Sequence, residues 1–327
     1  MTLPRRRVLQ LAAGAAALAL PRPALAQSTS PQTYPSRPVR FVAGFPAGSA
    51  PDLVARLAGQ ALTDALGQPF VIENRPGAGS NIGTEAVVRS APDGYTLLMS
   101  VLTNVFNTTL YTNLSFNFAN DFVHVAGVAN APYVLIVPLS FPAKTVPEFV
   151  AYAKANPGKI NMASGGKGSS SHIFGELFKA MAGVEIVHVP YRGNYMPDLM
   201  AGEVHMAVNP MPQALELIRS GKIRALGVTT KQRQASLPDL PTVAEFVPGY
   251  EALGWYGLAA PKGTPTDVVD KLNATMAKAA VDPKFKARLA DLGVEPMPIT
   301  PAEFSKFIGT ETDKWTKVIK AAGVVLE

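Results

Sequence analysis

The 327 residues contain no cysteine, carry 30 Lys and Arg against 24 Asp and Glu, and have a formal charge of +6. Disulfides, thiolate metal sites and a lipid-modified N-terminal cysteine are therefore excluded, while 47% hydrophobic residues in a chain of this length can build a large core divisible into two domains. Four arginines, Arg5, Arg6, Arg7 and Arg22, fall in residues 1–26; the rest of the chain carries only +2, and the compositional case for nucleic-acid binding lapses.

Residues 1–26 read as an export signal. Three arginines precede a 13-residue apolar run, 8–20, and Ala24-Leu25-Ala26 offers small residues for cleavage before Gln27. Arg5-Arg6-Arg7-Val8-Leu9-Gln10 also resembles a twin-arginine signal, and the run is too short for a membrane-spanning helix of ~20 residues. Polar, proline-containing residues 27–36 are expected to be a disordered leader.

An apolar run over 39–43 predicts a buried strand, and Phe45-Pro46-Ala47-Gly48-Ser49-Ala50-Pro51 predicts a loop at its carboxyl end. Leu53, Val54, Leu57, Ala58, Ala61, Leu62 and Ala65 then recur at helical spacing, with Asp52 expected as N-cap and Gly67 as C-terminal stop. Helix N-termini at such loops offer free amides and partial positive charge to anions. A second strand over 70–73 leads to a glycine-rich loop in which Gly77, Gly79 and Gly83 are spaced GxGxxxG, a mismatch to the dinucleotide fingerprint, and a helix is expected near Thr84. A third strand over 95–100 ends at Thr103 and Asn104, and the apolar stretch 122–137 contains a buried strand at 134–137.

The alternation restarts after a helix at 144–155. A strand at 160–163 precedes a loop of glycine and serine, Ser164 to His172, and then a helix. The loop is a second candidate anion cradle of the same form as the first, without P-loop spacing, the alternative being serines that merely cap the helix. Strands follow over 185–190, 204–208, 224–229 and 254–260, a helix over 213–220, and three closing helices over 266–281, 283–292 and 301–322. Two successive βα blocks argue for an α/β fold with parallel sheets, in which ligands bind beyond the carboxyl ends of strands.

Catalytic and metal signatures are weak. His124, His172, His188 and His205 form no HxxH or HExxH group, so no metal is expected, and there is no GxSxG elbow. His172 stands next to Ser169, Ser170 and Ser171, but at a helix N-terminus its cation is disfavoured and a structural hydrogen bond suits it better than base catalysis. Arg56 and Arg75 are candidates to pair with carboxylates of the protein or of a ligand, a surface or structural pair being the commoner outcome.

Taken together, the residues resemble the extracytoplasmic substrate-binding proteins of tripartite tricarboxylate transporters, the Bug family. The resemblance is carried by Phe45-Pro46-Ala47-Gly48 with Asp52 and Arg56, by Glu73-Asn74-Arg75-Pro76-Gly77-Ala78-Gly79 with Asn81-Ile82-Gly83, and by Ala91-Pro92-Asp93-Gly94-Tyr95-Thr96-Leu97. His188-Val189-Pro190-Tyr191-Arg192-Gly193, Leu237-Pro238-Asp239-Leu240-Pro241-Thr242 and Ala260-Pro261-Lys262-Gly263-Thr264-Pro265 extend it in the same order to about Pro301. It implies a type II periplasmic binding-protein fold: two α/β domains, 37–129 with 251–327 and 130–250, a hinge, and a ligand cleft between them. It implies that a small carboxylate is held by Phe45, Pro46, Ala47, Gly48, Ser49 and Ala50 on one side and by Ser164, Gly168, Ser169, Ser170 and Ser171 on the other, with Asn81, Thr103, Asn104, Tyr191 and Asn209 as further lining. The implied protein is a periplasmic receptor and not an enzyme; the export signal adds cleavage after Ala26, and the lack of a large uninterrupted apolar pattern makes a monomer the default expectation. It needs no cofactor, and its partners are membrane transporter subunits or a sensor domain.

Two departures from the family pattern bear on the ligand. Ser49 replaces the second of two glycines, and Asn209 replaces an aspartate suited to an ammonium group, which disfavours amino acids and leaves a non-amino mono- or dicarboxylate, aliphatic or aromatic. The rival readings are a hydrolase using Ser169 or Ser171 with His172, and a phosphate- or nucleotide-binding module resting on the glycine loops.

Overall fold

The computed structural model describes residues 34–321 and 323–324, so the export signal and most of the expected leader lie outside the described residues. Pro35 onward is one compact unit. Strand β1, Val39–Ala43, has its branched and aromatic side chains buried on both faces. Strands β2, Phe70–Asn74, and β3, Thr96–Val101, flank it in parallel.

One sheet runs through the molecule in the order β2-β1-β3-β9-β4-β7-β5-β6, where β4 is Phe122–Val137, β5 Asn161–Ser164, β6 Val187–Pro190, β7 Met206–Pro210 and β9 Leu253–Pro261. Strand β8, Arg224–Val228, and the two-residue β10, Glu295–Pro296, pair with β4 outside that path. The expected parallel pairing holds for β1 with β2 and β3 and for β5 with β6 and β7. It fails at β4 and β9, which run antiparallel to every partner. The reason is connectivity: β9 comes from late in the chain and inserts between β3 and β4, so neither neighbour is reached by a helical crossover.

The stretch 122–137 is a single 16-residue strand. As far as Pro132 it pairs with β9, and from Tyr133 onward it pairs with β7, while β8 joins from Val134. Pro132, which has no amide to donate, stands where the partner changes.

Helix α1, Ala50–Leu66, begins three residues earlier than the expected N-cap Asp52 implies, with Ser49 at the N-cap and Gly67 closing it at φ 75°. Asp52 therefore lies in the first turn. Its buried carboxylate accepts the Gly48 amide at 2.9 Å, the Asn74 amide at 2.9 Å and the Arg56 guanidinium at 3.0 Å. Burial pushes its pKa up, but these bonds together hold it below the usual carboxylate value. Helix α2, Asn81–Val88, also starts early, after a loop in which Ala78 and Ser80 adopt φ of 47° and 78°. That bend tucks Ser80 against Gly44, where a Cβ would lie 1.9 Å from the serine oxygen.

Helices α3, Leu102–Leu110, and α6, Met196–Ala201, were not foreseen. Leu102–Leu110 holds three threonines and two asparagines, poor helix formers on local propensity, and tertiary packing overrides that propensity. The remaining helices are α4, Val146–Ala155; α5, Ser170–Ala182; α7, Met211–Arg219; α8, Thr266–Val281; α9, Pro283–Asp291; and α10, Pro301–Ala321. Phe106 of α3 packs edge-on against Phe174 of α5 at 6.2 Å and Trp315 of α10 at 5.0 Å, and Tyr133 of β4 meets Phe174 at 4.7 Å. This aromatic knot ties both halves of the sheet to one core.

Candidate functional site

A cavity of about 230 Å³ lies beyond the carboxyl ends of the strands. Its walls come from loops that each pass from a strand straight into a helix: β1 to α1, β3 to α3, β5 to α5 and β7 to α7. Four helices of at least nine residues thus open toward it. The amides of a helix's first turn have no acceptor within their own helix, and the aligned peptide dipoles place partial positive charge there.

The side chains that line the cavity add little charge. Phe45, Pro46, Ala47, Gly48 and Ser49 come from the first loop, Thr103 from the third strand's exit, Ser169, Ser170 and Ser171 from the start of α5, and Asn209 from the end of β7. The Thr103 and Ser170 hydroxyls lie 3.2 Å apart and link the openings of α3 and α5. Asn209 is fully buried; its amide oxygen accepts the Tyr195 hydroxyl and its nitrogen donates to the Pro210 carbonyl at 2.8 Å. No acidic side chain lines the cavity among the described residues, and Arg192 is the one cation there.

Three polar side-chain atoms of residues lining this cavity have no hydrogen-bond partner, the Trp255 Nε1 and two hydroxyls. The Ser49 Oγ and the Tyr256 hydroxyl are buried and make no hydrogen bond, although Ser49 and Tyr256 both line the space. Burial drives the Tyr256 pKa well above its ordinary value, so the phenol is a neutral donor. Buried hydroxyls without partners are costly, and both belong to residues that line the cavity.

Six residues expected in the site lie off this cavity. Ala50 is buried inside the first turn of α1. Asn81 accepts from Asn107 at 2.6 Å, and Asn104 accepts the Val101 amide and donates to Thr84. Ser164 bonds His188 at 2.6 Å, the Gly168 amide donates to His172, and the Tyr191 hydroxyl donates to Asp198 at 2.7 Å. These residues brace the walls. In their place the cavity brings in Tyr133, Tyr195, Trp255 and Tyr256, together with Arg192, Asn194 and Gln213.

The histidine beside the serine loop has a structural role. His172 stacks on His188 with ring centroids 3.7 Å apart, and its Nδ1 accepts the Gly168 amide at 3.0 Å. Burial, the neighbouring His188 and the Lys179 and Lys167 charges lower His172 to about 3, and burial with the same lysines lowers His188 to about 4. Both are neutral at neutral pH. Ser169 Oγ accepts the His172 backbone amide as an N-cap, and no hydrogen bond joins a histidine ring to Ser169 or Ser171 among the described residues. A serine–histidine hydrolytic pair is absent from the geometry.

Residues 54–324 match the family model described as the tripartite tricarboxylate transporter family receptor. The Bordetella pertussis protein BugT is 35% identical over 308 residues, covering 93% of this chain and 94% of its own. Among solved structures, R. palustris Rpa4515 with adipate superposes with a TM-score of 0.86 at 36% identity, covering 89% of this chain and all but 1% of that one. The periplasmic binding protein BugD follows at 0.85 and 35%, covering 90% of this chain and 100% of its own. The fold is accordingly that of the two-domain periplasmic binding proteins.

Proposed function

The chain belongs to the tripartite tricarboxylate transporter receptor family, whose members are solute-binding receptors and not enzymes, and on that premise we propose that it captures a small non-amino mono- or dicarboxylate for a membrane transporter. The observation that carries this reading is the convergence of four helix N-termini on a cavity that no acid among the described residues lines. A cavity smaller than the ~300–1,000 Å³ of drug-sized sites suits a ligand of a few carbons. Carboxylate oxygens there accept from first-turn amides and from Ser49 and Tyr256, with ordered water completing the set. The relative that carries adipate supports the same ligand class.

In this proposal residues 37–129 with 251–327 and residues 130–250 are two domains that close on the ligand. The hinge lies where β4 exchanges β9 for β7 and β8, near Pro132 and Tyr133, and where the chain re-enters β9 after Tyr250. The protein acts as a periplasmic monomer after cleavage at Ala26. Asn209 in place of a carboxylate leaves an ammonium group without a counter-charge, so the receptor discriminates against amino acids. Paired calorimetric titrations with deaminated and amino forms of one skeleton, such as glutarate and glutamate, test this: only the deaminated acid of a pair binds. Micromolar binding of an amino acid together with silence from its deaminated analogue overturns the proposal.

A further inference from the structure

We propose that His172 is a positioning residue for the ligand: the Nδ1 of its neutral ring fixes the Gly168 amide, and through it the serine wall of the cavity, in the arrangement that receives a carboxylate; this rests on the carboxylate-receptor reading above. His172 does not itself line the cavity. Gly165, Ser169, Ser170 and Ser171 do, and they flank the point that the histidine holds. The Gly168 amide donates to Nδ1 at 3.0 Å, while Ser169 Oγ accepts the His172 amide at 3.3 Å. The two bonds are reciprocal across the start of α5, and the imidazole stands where a capping box has its glutamate.

The chain between β5 and α5 needs such a hold. Gly166 and Gly168 have φ of 113° and 77°, left-handed backbone that no strand ladder or helix turn fixes. Gly168 is buried, and its amide depends on the acceptor that the ring supplies. The ring is itself oriented: it stacks on His188 with centroids 3.7 Å apart and planes 13° from parallel. His188 Nε2 meets the Ser164 hydroxyl at 2.6 Å, and that oxygen accepts the Gly166 amide at 3.2 Å. The stacked rings thus grip both ends of the loop. The acceptor is also kept free of a proton. Burial above all, then the His188 ring and the Lys179 and Lys167 charges, holds His172 at about 3. Glu176, the acid facing it, lies 3.7 Å from Nε2 and is held by Lys179 at 2.8 and 2.9 Å. With Nδ1 accepting, Nε2 carries the ring proton.

The test separates the acceptor from the ring. His172→Phe keeps a ring to stack on His188 and loses the acceptor; His172→Asn loses the ring and keeps an acceptor, its amide oxygen, where Nδ1 stands. The native protein and both variants, stripped of carried-over ligand by unfolding and refolding, are titrated calorimetrically at pH 7.5 with glutarate, adipate, hexanoate and benzoate, and melting curves confirm that they fold. For the acid that the native protein binds best, His172→Phe should bind about tenfold more weakly, and His172→Asn should stay within about threefold of native whatever its melting temperature. Native affinity in His172→Phe, or an equal loss in both variants, overturns the role of His172 while the carboxylate receptor stands. Amide hydrogen exchange in the native protein needs no variant: the same acid at a hundred times its dissociation constant should slow exchange at Gly168 about tenfold or more, and exchange there that ignores the ligand overturns the role as well. Failure of the native protein to bind any acid of the panel overturns both readings.

Discussion

Tyr256 separates what a residue does for the fold from what it does for the ligand. Its hydroxyl is buried beside the cavity without a partner, so the empty protein gains nothing from it. Tyr256→Phe should leave the melting temperature of the empty protein unchanged or raised, while weakening carboxylate binding by about 0.5–1.5 kcal/mol, roughly two- to tenfold. Paired melting and titration measurements read both signs; a loss of stability with unchanged affinity would place the hydroxyl in the fold instead. The histidines act in the opposite sense. His124, His172 and His188 are held at about 4, 3 and 4 against an ordinary 6.5, chiefly by burial. Below pH 6.5 the unfolded chain takes up protons that the folded chain refuses. Their contribution is fully present above about pH 6.5 and is lost as the pH falls toward 4. Urea midpoints measured from pH 7.5 to 4.5 should therefore drop steadily, and a flat profile would show that these rings carry their charge inside the fold.

Each strand–loop–helix unit holds its loop in place by a few bonds, and Asp52 does most of this for the first unit. Asp52→Ala frees the Gly48 amide, Asn74 and Arg56 at once. It should cost about 1–3 kcal/mol of stability and weaken ligand binding, because the loop Phe45 to Ser49 then has no fixed approach to the cavity. Unaltered affinity in a destabilised Asp52→Ala protein would mean that this loop does not hold the ligand.

The unit itself was legible in the sequence because glycine, proline and serine punctuate apolar runs, so the loops after β1 and β5 stood out before any coordinates. Helix α3 was hidden by its threonines and asparagines, which carry no local helix signal. The aromatic wall was hidden for another reason. Tyr133 and Tyr256 belong to β4 and β9, and only the long-range register that sets Tyr256 opposite Ala129, with Pro132 opposite Leu253, places them beside the loops. Chain order named the loops but not which of their side chains face inward, and Asn81, Asn104, Ser164 and Tyr191 stand behind the walls for that reason.

Across the whole molecule, one sheet carries two sets of anion-seeking loops, and β4 is common to both. In the proposed closure the Thr103–Ser170 contact and the Phe106–Phe174 packing are the points where the two sides meet. In the proposed function the cavity is built for carboxylate. Thermal unfolding of the stripped, refolded protein with adipate and related dicarboxylates, run beside the corresponding neutral diamides, tests it most directly. At least one acid, at a hundred times its dissociation constant, should add about 2.7 kcal/mol of stability while its diamide adds none. Stabilisation by no acid of the series, or by acid and diamide alike, would contradict it.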